Sequence, residues 1–106
     1  MNLNADEIYA KIIAAAKEWV TADEESRRLT KLEKVVLAEI TNQQPAESMA
    51  ERKSLALASA EYKHHIAMMI AAKTASNMAH ARYKAMHSLA ELRRSEESTR
   101  RQEMRL

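Results

Sequence analysis

Apolar and small side chains return along the first forty residues in alternating steps of four and three. Ile8, Ile12, Ala15, Trp19, Ala22, Ser26 and Leu29 form one such series. That spacing keeps one stripe of an α-helix turned toward a partner. Beyond Leu29 the apolar positions are Leu32, Val36 and Ile40, and the altered step predicts a small shift of the contact face. "NADE" at Asn4 to Glu7 places a capping residue three positions before a glutamate, the reciprocal arrangement that satisfies free amides at a helix start. A helix over about 5–41 is expected. Thr21 with Glu24 offers a second cap inside it, so a kink near Thr21, giving three helices, is the alternative.

Pro45, in "TNQQPAES", is the strongest punctuation in the chain. It disfavours helix at Gln44 and suits the first turn of a new one, which predicts a turn at about 42–45. From there no breaker appears, and a long helix is expected over about 46–104. Within it Leu55, Tyr62, Met69, Ser76, Tyr83 and Ala90 recur every seventh residue, with Ala58, His65, Ala72, Ala79 and Met86 between them. This reads as a coiled-coil-like seam of small residues and Met. Around 66–72 Ile66, Met68 and Ile70 widen the apolar face to nearly the whole circumference, which predicts burial against more than one neighbour. A hairpin of two helices cannot cover such a surface. The expected architecture is a single all-α domain over 1–106, a helical hairpin of two long helices, paired with a second copy into a dimeric four-helix bundle.

Composition sharpens this picture. The chain has no Gly, no Cys and no Phe, but twenty Ala and seven Met. A chain without Gly has few positions suited to positive φ, so sharp reversals must be rare. No disulfide or thiolate site can form, no basic leader precedes an apolar core, and no apolar run approaches the roughly 20 residues a bilayer requires. A cytoplasmic protein with no membrane contact is expected.

Charge bears on function. Residues 1–44 carry six basic and eight acidic side chains, whereas residues 45–106 carry eleven and seven. A cationic second helix can follow phosphates, so direct, sequence-independent nucleic-acid binding through Arg82, Lys84, Arg93, Arg94, Arg100 and Arg101 is one expectation. Yet in "ELRRSEESTRRQEMRL" Arg93 is spaced to pair with Glu97, Glu96 with Arg100, Glu97 with Arg101 and Arg100 with Glu103. The tail reads first as a solvated helix end. Trp19, Tyr62 and Tyr83 lie on the predicted seams and are expected to pack there before they stack on bases.

Chemistry has few candidates. "EYKH" sets Glu61 and His64 at the spacing of ferritin-like di-iron bundles, and a dimer would duplicate it, with Glu33 or Glu39 completing a carboxylate-rich site. His65, His80 and His87 lie further along the same helix. Without Gly there is no nucleophile elbow, phosphate loop or dinucleotide fingerprint. No catalytic residue and no cofactor is expected, and the di-iron site stands as the alternative.

"ARYKAMHSLAELRRSEESTRRQEMRL", about a quarter of the chain, resembles the C-terminal part of small all-helical proteins encoded in the early and recombination regions of tailed bacteriophages. The resemblance implies an accessory or inhibitor protein that acts beside single-strand annealing proteins or on host nucleases by binding other proteins, in the host cytoplasm. Combined with the surplus apolar surface, it gives the expected function: a non-enzymatic interaction module that pairs with itself and docks on a protein of nucleic-acid metabolism or host defence. Ile66, Met69, Ile70, Tyr83, Arg93, Arg94, Arg100 and Arg101 are the expected contact residues.

Overall fold

A computed structural model describes residues 4–105, and among them the chain is all-α. Helix α1 spans Ala5–Asn42, α2 Met49–Leu57 and α3 Ala60–Arg105. The predicted start of α1 is present in both directions. Asn4 Oδ1 accepts from the Glu7 amide at 2.8 Å, and Glu7 Oε2 accepts from the Asn4 amide at 3.3 Å. No break occurs at Thr21. The charged insert is held within the helix instead, Arg27 bonding Asp23 at 2.8 Å and Arg28 bonding Glu25 at 2.6 Å. Such pairs at three and four residues support the exposed side of the helix, while Ser26 and Leu29 are buried on the other.

The end of α1 shows how a glycine-free chain stops a helix. No described residue has positive φ. The last carbonyls are met by side chains, Thr41 Oγ1 donating to Leu37 at 2.6 Å and Gln44 Nε2 to Ile40 at 3.0 Å. Backbone bonds from Gln43 to Ile40 and Gln44 to Thr41 tighten the exit. These groups take the place of a left-handed cap.

Pro45 lies in the connecting loop rather than in a first helical turn, because Ser48 starts α2 by accepting from the Glu51 amide at 3.1 Å. The long helix expected from about 46 is also divided. Ser59 both closes α2 and opens α3: its hydroxyl donates to the Ala56 carbonyl at 2.6 Å and accepts from the Tyr62 amide at 3.1 Å. A serine hydroxyl competes with the backbone ladder in this way. The seven-residue pattern extended back to Leu55 and Ala58 therefore fails; both are exposed and Ala56 is buried. The third helix comes from Ser59, not from Thr21.

The chain forms two compact units. Unit 2 is Thr21–Ser76, in which α1 and α3 run antiparallel. Its buried side chains are Ser26, Leu29, Ile40, Thr41, Ala56, His65 and Ser76. Here the α1 stripe does not shift. Glu33 is half-buried in the next four-three position, while Leu32 is 36% exposed. Tyr62 explains the exchange, since its hydroxyl donates to Glu33 Oε1 at 2.8 Å and gives the carboxylate a partner that Leu32 would not need.

Unit 1 joins the start of α1, through Val20, to α3 from Asn77 onward. Ile8, Ala15 and Ala79 are its buried side chains, with Ile12, Trp19, Tyr83 and Met86 half-buried around them. From Arg94 to Arg105 every residue is exposed, and the helix continues through them. The four ion pairs expected in this tail do not form; among the described residues no pair within 4.0 Å joins them. Exposed pairs of this kind contribute only about 0.2–0.5 kcal/mol each, so the helix continues without them.

Candidate interaction surface

In unit 2, α3 turns Tyr62, His65, Met69, Ala72 and Ser76 toward α1, as the seven-residue pattern requires. Polar bonds fix how the two helices register. His65 is buried, and its Nε2 lies 2.9 Å from the Leu29 carbonyl oxygen. Since a carbonyl only accepts, that nitrogen carries the proton. Ser76 donates to Asp23 at 3.3 Å. The hydrogen bond to Glu33, followed by burial and the carboxylate's charge, holds the Tyr62 phenol above its ordinary pKa.

The expected contact residues of this unit fall on different sides. Ile66 and Met69 are half-buried against the hairpin, whereas Ile70 is 63% exposed. Burial of this stretch on all sides does not occur within the chain, because one neighbouring helix covers only one face of α3. Ile66 and Ile70 share a stripe with Lys63 and Lys73, at steps of three, four and three, and both lysines are exposed.

Unit 1 gathers the aromatic residues. Trp19 stacks on His80 with ring centroids 4.2 Å apart and on Tyr83 at 5.5 Å, and His87 lies 6.1 Å beyond Tyr83. Tyr83 is thus half-buried in a stack. Arg82, on the neighbouring position, pairs with Glu18. Lys84, Arg94, Arg100 and Arg101 are exposed, and Arg93 is half-buried. Arg93 and Arg94 line an open groove of ≈ 370 Å³ with Ile8, Tyr9, Ile12 and Ala90.

The possible metal ligands remain dispersed. Glu61 and His64 are exposed, Glu39 is exposed, and Glu33 is engaged by Tyr62. Among the described residues no three His, Asp or Glu side chains converge on a point where an ion could sit. Among the described residues no helix is long and apolar enough to cross a membrane.

Sequence reading misses the Glu33–Tyr62, Glu18–Arg82 and Trp19–His80 pairs, although the unbroken four-three step from Leu29 to Glu33 was a signal for the first. Compared with family models, curated proteins and solved structures, the chain gives no match. Its surface must therefore speak for its function.

Proposed function

We propose that this protein is a non-enzymatic interaction module that pairs with itself and docks on a protein of nucleic-acid metabolism or host defence, in the manner of the small bacteriophage proteins its C-terminal segment resembles. The exposure of Ile70 beside half-buried Ile66 carries the reading. A β-branched aliphatic side chain left in water on a regular helix face gains most by docking on another surface.

Self-association rests on unit 1. Three buried side chains, two of them alanine, make a thin core for a pair of helices, while Met78, Leu89 and Leu92 are exposed on one side of α3. With the two helices of a second copy, unit 1 reaches the four from which a bundle core is built. Arg94, Arg100 and Arg101 form the charged border of the docking surface. The protein acts in the cytoplasm of the host cell.

Affinity purification from a bacterial lysate, with wild type and Ile70→Asp compared by mass spectrometry, tests the docking reading. A protein retained by the wild type and lost with the variant supports it; identical retention by both overturns it. Light scattering of wild type against Leu89→Glu/Leu92→Glu tests self-association, the variant being expected at half the mass. A monomeric wild type removes that part of the reading.

A further inference from the structure

The stripe Lys63, Ile66, Ile70 and Lys73 also carries information about what covers it. Its two isoleucines are flanked by lysines, and among the described residues neither lysine lies within 4.0 Å of a carboxylate. Glu61, in the first turn of α3, is the one carboxylate of that helix near the stripe, and it forms no ion pair within 4.0 Å among the described residues. From Tyr62 to Ala90 α3 contains no Asp or Glu at all, while Lys63, Lys73, Arg82 and Lys84 fall in that span. Arg82 is the one of these four that pairs with a carboxylate among the described residues, that of Glu18.

A surface of this make-up selects among occupants. Two copies of it facing each other would bring four lysines together, and like charges across a dry contact oppose association. A partner with acidic side chains on either side of an apolar stripe satisfies both features at once, the isoleucines by burial and the lysines by ion pairs. An α-helix is the natural form of such a partner. Its anchors at steps of three and four match the spacing of Ile66 and Ile70, and the helix-in-groove mode uses that geometry. We infer that the α3 face made by Lys63, Ile66, Ile70 and Lys73 takes an acidic amphipathic helix of the partner protein. This inference rests on the protein-binding reading and specifies the chemistry of the partner.

Two synthetic eighteen-residue helical peptides of about five turns test it against the full chain by isothermal titration. Both carry the same leucine stripe, one flanked by Glu and the other by Lys. The Glu peptide is expected to bind at least about tenfold tighter, since like charges facing each other across the contact oppose association. Lys63→Glu/Lys73→Glu should reverse the preference, and Ile70→Asp should weaken both peptides about tenfold, with circular dichroism confirming that each variant stays folded. Equal binding of the two peptides, lowered by Ile70→Asp, overturns the acidic partner and leaves the protein-binding reading intact. Absence of binding by both, together with identical lysate retention by Ile70→Asp and wild type, overturns both. Displacement of the Glu peptide by a short DNA oligonucleotide makes nucleic acid the occupant, and conversion of a dimer to monomer by Ile70→Asp makes it a second copy. Either result overturns the inference.

Discussion

The phenol of Tyr62 on α3 donates its hydrogen to Glu33 Oε1 on α1 at 2.8 Å, and that bond places a carboxylate where an apolar residue would otherwise complete the stripe. It also makes the phenol harder to ionise. Tyr62 is held above the ordinary tyrosine value near 10, so the bond's contribution to folding is full below that pH. It is lost as pH rises through the folded value, because the phenolate cannot donate and faces a carboxylate. Ultraviolet titration of the three tyrosines should show one late phenol, absent in Tyr62→Phe. Three phenols ionising together would contradict the bond.

The register set by this pair predicts a contrast between two leucines. Leu29 is buried and Leu32 is 36% exposed. Leu29→Ala should destabilise by about 2–4 kcal/mol, within the range for buried leucine. Leu32→Ala should cost less than about 1 kcal/mol, as surface changes do. Urea denaturation of both variants measures the difference, and equal losses would place the face shift where the apolar pattern alone puts it.

Ser59 should matter more than an ordinary surface serine. Ser59→Ala removes the hydroxyl that closes α2 and opens α3. A loss of about 1 kcal/mol is expected, the usual cost of an N-cap. A variant as stable as the wild type would show that α2 and α3 do not depend on this cap.

Trp19 contacts His80 and Tyr83 in a unit with few buried residues. Trp19→Ala should therefore cost roughly 2–3 kcal/mol, somewhat below the values for fully buried tryptophan. His80→Ala should cost about 0.5–1.5 kcal/mol, the worth of a stacked pair, and alter the tryptophan emission spectrum. An unchanged spectrum would mean that the rings do not stack in solution.

Part of the candidate surface could be read before any coordinates. Ile66 and Ile70 stand out because, with Met68, they widen the apolar face beyond the regular seam, whereas the flanking place of Lys63 and Lys73 emerges only with the exposure of Ile70. That Tyr83 packs on the seam was legible as well, but its partner Trp19 and the pairing of Arg82 with Glu18 were not, because each partner lies more than sixty residues away in the chain.

By itself the sequence determined the helical nature of the chain, the cap at Asn4, the stripe from Ile8 to Leu29 and the seam from Tyr62 to Ala90. All of these follow from forces acting within a few residues: backbone periodicity, short-range capping and the absence of glycine. Tertiary structure decided that Glu33 and not Leu32 continues the stripe and that Ile70 faces water while its neighbours pack. Those outcomes depend on which residue of one helix meets which residue of the other. A periodic pattern fixes the face a helix presents, but not the partner waiting at each turn.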